Sequence, residues 1–575
     1  MNKGIIILLF FFSLILAVLI LLPYSVNISH SVPNVIDPLF YAWNLSYNAD
    51  AMLKGMSASL NTNIFFPLTN TLAYSDTLWA QSIITTPVMW ITHNPILAEN
   101  IAIILSFPLS AIFMYLLAFY LTGSPVASFA AGIFYAFSYP RLSQIGHLPV
   151  ISSQWLPLYL LYLFKFLDAG KRKYFILLCI WYVFSTASSI YFGVFLLPIT
   201  ALVIITDTVK RIRNHTLSEY RKRLTAALPL VFPFLIILGI VLFPYIRLKV
   251  EYPQIKRSID DVTELRATLA DYISVLPTSL IAFLPFPKHI NEHVLYPTLT
   301  VMVLSLVGII TFVKRNRYII GSFLLIVVSS CMLSLGNEQS FSVGSFSTGT
   351  IKLPYYYLYN LFPIFQIVRV PARFSIFIAL SLSVLAALGI DTVMKKTTSR
   401  WIVCLLLLPF LIEVWQVQTP FVPVPSENSV PKVYTWIRGQ PEPMILAELP
   451  LSLFYHGKLM KDQLYTSYET LQQSDVYALE TYRVYFSAFH KKRMLNGYSG
   501  FLPDAYNRMG ETLENFPSEY SLTALQNIGI THVVVHIWQY DTDKKVNIMN
   551  ALTSSPLLTP MYSDDKDFVY AINKK

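Results

Sequence analysis

From Gly4 to Ile36 the chain carries no Asp, Glu, Lys or Arg, and its first carboxylate, Asp37, stands where that stretch ends. Apolar runs of about 17 to 25 residues recur from there to Thr419, the length that takes a helix across a bilayer. Inside lipid the backbone has to satisfy its own polar groups, so runs of this kind fold as membrane helices. Charged residues make up only 13% of the chain, about half the share usual in soluble proteins. The first run, Gly4 to Leu22, is too long for a signal-peptide core and lacks a small-x-small cleavage site, so it reads as an uncleaved anchor.

The net charge of +10 does not mark nucleic-acid binding. Residues 420–575 hold 14 basic and 16 acidic residues, whereas the part before them holds 28 and 16. The basic excess therefore sits in short loops between apolar runs, where the positive-inside rule places it in the cytoplasm. Four clusters carry it: Lys171-Arg172-Lys173, Lys210 to Arg223, Lys314-Arg315-Asn316-Arg317, and Lys395-Lys396 with Arg400.

A topology of about eleven spans puts all four on one side. The spans fall at about 4–22, 96–121, 126–139 and 153–168, two within 174–206, one at 226–246, two flanking the third cluster, then 373–391 and 401–419. The amphipathic stretch Thr77 to Thr92 is kept out of the bilayer, because one more span there would reverse every later cluster. The N-terminus is then cytoplasmic, in a multi-pass protein of the plasma (inner) membrane. Residues 1–419 form the transmembrane domain, with an outer loop 23–95. After the Pro-rich linker 420–431, the β-like runs Met444 to Leu449 and Thr531 to His536, with helical stretches between them, predict a small extracytoplasmic α/β domain to residue 575. Cys179, Cys331 and Cys404 lie in apolar runs, without the spacing of a zinc site.

Transfer of a sugar from a lipid-linked donor needs a carboxylate to deprotonate the acceptor hydroxyl and cations to hold the departing phosphate. Asp37 is the candidate base; Asp-Pro also suits an N-cap and first turn for a helix over 38–54. Asp76 is either the cap of the next helix or a metal or substrate contact. Arg369 and Arg373 have the planar forks that suit phosphate, and equally suit lipid headgroups at an interface. Arg141 and His147 share one outer loop. Gln154-Trp155 could stack on a sugar or anchor a helix at the interface. The outer loop 247–293 carries six basic and six acidic residues. Among them Arg257, Glu264, Asp271 and Glu292 are either substrate contacts or a solvated charge run. No P-loop, dinucleotide fingerprint, His-Glu-x-x-His or nucleophile elbow is present, so a cytosolic nucleotide-sugar enzyme is not supported.

A first outer loop opening on an acid, then a surface helix, then a helix from Asn94-Pro95-Ile96 to Tyr120-Leu121-Thr122-Gly123, resembles the GT-C glycosyltransferases. These include protein O-mannosyltransferases and the lipid A aminoarabinose transferase. The strings Asn63-Ile64-Phe65-Phe66-Pro67 through Asp76, Gly146-His147-Leu148, Gln154-Trp155-Leu156-Pro157, Arg369-Val370-Pro371-Ala372-Arg373-Phe374 and Leu495-Asn496-Gly497-Tyr498-Ser499-Gly500 resemble prokaryotic members. The resemblance implies an α-helical polytopic fold. It also implies inverting transfer from a polyprenyl-phosphate sugar to an extracytoplasmic glycan, lipid or protein, with the loop-one acid, here Asp37, as base. The paired Asp-Glu of the mannosyltransferases reads Asp37-Pro38 here. Some members use a divalent cation. Two other classes stand beside this one: a transporter or flippase of a lipid-linked glycan, and a non-catalytic envelope assembly protein working through its α/β domain.

Overall fold

The computed structural model describes residues 3–55, 60–312, 317–343, 346–396, 402–426, 429–451, 464–472 and 475–573. Of the basic residues that orient the chain, Lys314, Arg315 and Arg400 lie outside the described residues, as does Asn316. The chain divides into two compact units. One comprises Met1–Val26, Ala102–Phe243 and Tyr252–Thr419; the other comprises Asn27–Ile101, Pro244–Glu251 and Pro420–Lys575.

Seven helices among the described residues are long and apolar enough to cross a membrane: Lys3–Ile20, Pro95–Thr122, Leu148–Ala169, Ile190–Arg213, Ala227–Glu251, Arg317–Ser334 and Pro371–Lys396. Three shorter apolar helices, Pro125–Ala136, Leu299–Phe312 and Leu405–Val414, and the 17-residue helix Arg172–Ser188 fall on the remaining expected segments. The protein is thus an integral membrane protein of polytopic helical architecture. Lys3–Ile20 and Ala227–Glu251 leave large apolar side chains bare, Phe11, Ile15, Phe232 and Ile240 among them. A soluble protein would not keep so much apolar surface, and lipid covers it at no cost.

Within the first unit, Leu299–Phe312 packs closely on Ser375–Lys396. Gly308 and Gly389 make this possible, because a Cβ on either would collide with a backbone carbonyl of the facing helix, that of Leu385 or Leu304. Lipid gives helices no hydrophobic reason to associate, so small residues that allow backbones to approach are how such pairs hold.

The expected amphipathic stretch is the helix Trp79–Thr92, 14 residues long. That falls short of the roughly 20 residues a span requires. Its buried side includes Gln81, Ser82, Thr85 and Thr86. This polar face is matched by the neighbouring helix Asp37–Lys54, where Asn48 donates to Ser82 Oγ at 2.9 Å and to the Thr77 carbonyl at 2.8 Å.

In the second unit the C-terminal segment builds a five-stranded sheet in the order Arg493–Met494, Ile445–Leu449, His532–His536, Asp567–Ile572, Leu558–Ser563. The first three strands run parallel and the last two antiparallel to their neighbours. Both β-like runs expected from the sequence are central strands. Val533 and Val535 face an apolar core with Leu449, Leu495, Leu513 and Leu525. Strand alternation then sends Glu448, Val534 and His536 to the other face. A two-stranded pairing of Ser31–Val32 with Val422–Pro423 ties the start of the first loop to the linker.

Candidate active site

Asp37 is the first residue of the helix Asp37–Lys54. Ile36 occupies the cap position, without a side-chain capping bond, and Pro38 supplies the fixed φ of the first turn. Asp37 is therefore one residue inside the helix rather than at its cap, in the turn where the helix dipole favours a carboxylate. It is half-buried. Its Oδ1 accepts a 2.7 Å hydrogen bond from the Tyr498 hydroxyl, and its Oδ2 lies 3.5 Å from that of Tyr41. Bonds of the first kind, to an ionised acceptor, are the strong ones. Phe40 meets the Tyr498 ring edge to face at 5.8 Å.

Tyr498 is placed by a contact between two of the family-like strings. Phe65 and Phe66 donate backbone N–H bonds to the carbonyls of Asn496 and Met494 at 3.0 and 2.9 Å, and Met494 donates back to Asn63 at 2.8 Å. Gly497 lies flat on the Phe65 ring; a Cβ there would stand 2.7 Å from three ring carbons. The next residue, Tyr498, then reaches Asp37 across 461 positions of sequence.

Asn496 is itself pinned from beneath. Its amide oxygen accepts from the Glu448 N–H at 2.7 Å, and its amide nitrogen donates to the Glu448 carbonyl at 3.0 Å and to Glu480 at 3.3 Å. Around it lies a buried ionic network. His536 bonds Asp567 through Nδ1 at 2.8 Å and Glu448 through Nε2 at 2.9 Å. Arg483 pairs with Glu480 and donates to Gln539 at 2.6 Å. Burial alone would lower the His536 pKa, but Asp567 and Glu448 outweigh it and push it up to about 9. Burial likewise works against an ionised Glu448, yet His536 and Arg483 hold its carboxyl below the usual range. With both ring nitrogens on carboxylates, the imidazolium is the form this geometry fits.

Asp76 is half-buried. Leu78, at a left-handed φ of 55°, and not Asp76, takes the cap position of the next helix. The Asp76 carbonyl accepts from Asn44 at 3.3 Å. Asp37, Tyr41, Asn44 and Asn48 recur at helical spacing and share one face of their helix. A further acid, Glu99, is fully buried and acts electrostatically on Asp37; among the described residues neither of its oxygens has a hydrogen-bond partner. Also among the described residues, no group of three or more His, Cys, Asp or Glu side chains could hold a metal ion. A divalent cation of the kind some GT-C members use finds no ready cage of three such side chains there.

The other sequence candidates belong to the first unit. Arg141 is wholly buried, with its guanidinium bonded to Ser153 Oγ at 3.0 Å, to the Ile151 carbonyl at 2.9 Å and to Ser106 at 3.2 Å. Trp155 donates to Ser188 at 2.8 Å and stacks on Trp181 at 5.7 Å; Gln154 beside it is buried. The buried Gln154 Oε1 has no hydrogen-bond partner among the described residues, whereas Arg141 and Trp155 tie helices together. Asp271 does similar work, bonding His293 at 2.9 Å and the Thr268 N–H at 2.8 Å. Glu264 is exposed.

Arg373, Glu292 and His147 form a cluster. Arg373 donates to Glu292 at 2.6 Å and lies over the Tyr191 ring at 5.3 Å. Burial would raise the Glu292 pKa, but Arg373 and then His147 bring it down to about 2. Arg369 is exposed, and its backbone N–H donates to the Tyr191 hydroxyl at 3.0 Å. Burial first, and then the like charge of Arg369, pull the Arg257 guanidinium below its usual range. Tyr191 and Asp261 act on Arg257 in the opposite sense.

Tyr498, Tyr41, Glu99 and the pairing of Arg257 with Arg369 were beyond sequence reasoning. The string Leu495 to Gly500 was visible as a family-like motif, but nothing in it names Asp37 as its partner.

No protein-family model and no curated protein matches the chain. Solved structures do. The arabinofuranosyltransferase AftD from Mycobacteria aligns with the whole of this chain at a TM-score of 0.53 and 13% identity. The chain spans 40% of AftD's length. ArnT from Cupriavidus metallidurans, bound to undecaprenyl phosphate, aligns over 99% of this chain and 98% of its own at 12% identity and a TM-score of 0.44. The oligosaccharyltransferase AglB from Archaeoglobus fulgidus, in complex with an inhibitory peptide and a dolichol-phosphate, aligns over 99% and 74% at 13% identity and a TM-score of 0.42. The likeness to AftD is one of fold. The chain has the GT-C-like polytopic architecture, with a sheet-containing C-terminal region, that its sequence resembles.

Proposed function

We propose that this GT-C-like membrane protein is an inverting glycosyltransferase. It moves a sugar from a polyprenyl-phosphate donor to an acceptor on the outer side of the plasma membrane. The observation that carries the reading is the Asp37 carboxylate: half-buried, in the first turn of its helix, and oriented by the 2.7 Å bond from Tyr498. A fold shared with an arabinofuranosyltransferase supports it.

In the proposed step Asp37 takes the proton of the acceptor hydroxyl as that oxygen attacks the anomeric carbon. The bond from that carbon to the phosphate oxygen breaks, the electron pair leaves with polyprenyl phosphate, and the configuration inverts. Fixing Oδ1 through Tyr498 sets the direction in which the carboxylate receives the proton, which is what a general base needs. Arg369, with Arg257 beside it, is the cationic group suited to the carrier phosphate. Arg373 is assigned to Glu292 instead. The C-terminal α/β segment supplies Tyr498 and is proposed to recognise the acceptor.

The test compares envelope glycolipids and glycoproteins among the wild type, a deletion strain, and the deletion strain complemented with Asp37→Asn. The expected result is a glycan lost on deletion and not restored by the variant, although the variant is made and inserted normally. Restoration by Asp37→Asn removes Asp37 from the chemistry.

A further inference from the structure

The helix that carries Asp37 has a second feature on another side. Trp43, Tyr47, Asp50 and Lys54, together with Asn63 and Lys491, line a cavity of about 170 Å³ within the second unit. At 3.6 residues per turn these helix positions lie roughly a third of a turn round from the face of Asp37, Tyr41, Asn44 and Asn48. They begin about 9 Å and end about 25 Å along the axis from Asp37.

The cavity is built rather than incidental. Trp43, only 1% exposed and also against Phe40, stacks behind Tyr47 at 5.9 Å with 26° between their planes, so the half-buried Tyr47 ring is the aromatic wall of the cavity. The Trp43 indole N–H is held by the Asn63 side chain at 3.0 Å, and the Tyr47 hydroxyl donates to the Asn61 carbonyl at 2.7 Å. Burial, with Asp50 adding to it, pushes the Tyr47 phenol up to about 12, so it remains a neutral donor. On the rim Asp50 is paired with Lys491 at 2.5 Å, and Lys54 is exposed. Two ammonium groups thus stand around one carboxylate.

A sugar ring has an apolar face of C–H groups and an edge of hydroxyls that both donate and accept. A flat aromatic wall beside rigid, charged hydrogen-bonding groups meets both needs, and wall groups locked in advance lower the cost of binding. We propose that this cavity is a saccharide subsite that holds a sugar unit of the acceptor, set apart along the helix from the hydroxyl that reacts. The net positive rim favours a unit carrying a carboxylate or phosphate. The acceptor is then a glycan of several units, since one sugar cannot reach both places. This rests on the glycosyltransferase reading of Asp37.

The test is saturation-transfer NMR on the full-length protein in nanodiscs. The probes are the methyl glycosides of arabinofuranose, glucose, galactose, mannose and glucuronic acid. At least one is expected to bind saturably, and Asp50→Asn and Lys491→Ala each weaken it by about tenfold, the worth of a hydrogen bond to a charged group. Lys54→Ala is expected to weaken the glucuronide more than the neutral sugars. Asp37→Asn is expected to leave binding within about twofold of wild type, since Asp37 lies off the cavity. Lys491 is largely exposed, with 57% side-chain accessibility, so its variant folds whatever the fate of the others. Absence of saturable binding, or binding untouched by both Asp50→Asn and Lys491→Ala, overturns the subsite. Such a result alongside intact, Asp37-dependent transfer refutes the subsite alone; binding as expected without Asp37-dependent transfer refutes the transferase reading alone.

Discussion

Replacing Gly497 by Ala perturbs the proposed catalytic carboxylate, Asp37, without touching it. The added Cβ would stand 2.7 Å from Phe65 ring carbons, whereas carbon atoms settle about 3.5 to 4.0 Å apart. Something must move by about 1 Å. Phe65 cannot easily yield: it is 1% exposed, it packs edge to face on Tyr506 at 5.3 Å, and its N–H bonds the Asn496 carbonyl. The strand-like segment 496–498 must therefore shift. Moving Tyr498 by about 1 Å stretches its bond to Asp37 past the 3.2 Å range in which hydrogen bonds are strong. Overpacking costs about 1 to 3 kcal/mol of stability, and the bond to an ionised acceptor is worth about 1.5 to 3 kcal/mol. Transfer by Gly497→Ala should thus fall about 10- to 100-fold, with a modest drop in unfolding temperature. Turnover of a polyprenyl-phosphate sugar by the purified protein, and thermal unfolding of the same samples, are the two measurements. Shrinking the ring should restore part of the loss: Gly497→Ala with Phe65→Leu should be more active than Gly497→Ala alone. A Gly497→Ala protein with full turnover would show that the segment bearing Tyr498 does not serve Asp37, and the positioning argument would fail.

Tyr498→Phe removes the same bond with little change of volume; turnover should fall about 10- to 100-fold with unfolding temperature nearly unchanged. The two arginines before the helix Ser375–Lys396 should part ways. Arg373→Ala strands the half-buried Glu292 carboxylate and should destabilise by about 2 kcal/mol, whereas Arg369→Ala, on an exposed residue, should leave stability nearly unchanged and weaken donor binding; equal effects on stability would contradict the pairing. The buried His536 has a pH signature. Its folded pKa, about 9, lies above the unfolded value near 6.5, so its stabilisation is complete below about pH 6.5 and lost as pH rises through 9. Glu448, held low, contributes above about pH 4.5 and loses its share as pH falls through its folded value. The difference in unfolding temperature between wild type and His536→Gln should accordingly be largest near pH 6 and shrink above pH 9; a constant difference across that range would mean the imidazole is buried neutral.

The helical layout was legible because it depends on local composition. An apolar run long enough for a bilayer declares itself residue by residue. The strands Ile445–Leu449 and His532–His536 were legible for the same reason: β-branched and apolar runs between turns. The site was legible only by halves. Asp37 stands out as the first acid after a long uncharged stretch, but the neighbour that hydrogen-bonds it is Tyr498, 461 positions along the chain. No periodicity connects them. The join depends on Phe65 pairing with Asn496 and on the absence of a side chain at Gly497.

Charge misled in the opposite direction. Arg141 and Arg373 look from sequence like equals of Arg369, since all three are arginines near expected membrane boundaries. Burial separates them: Arg141 is enclosed by carbonyls and hydroxyls, Arg373 is matched to Glu292, and only Arg369 keeps an exposed position, with Arg257 for company. A guanidinium already neutralised by a carboxylate has little left to offer a phosphate, whereas an exposed one can still turn its fork to an anion. Compensation by a neighbouring carboxylate is a property of the folded neighbourhood, one that residue type and position along the chain do not encode.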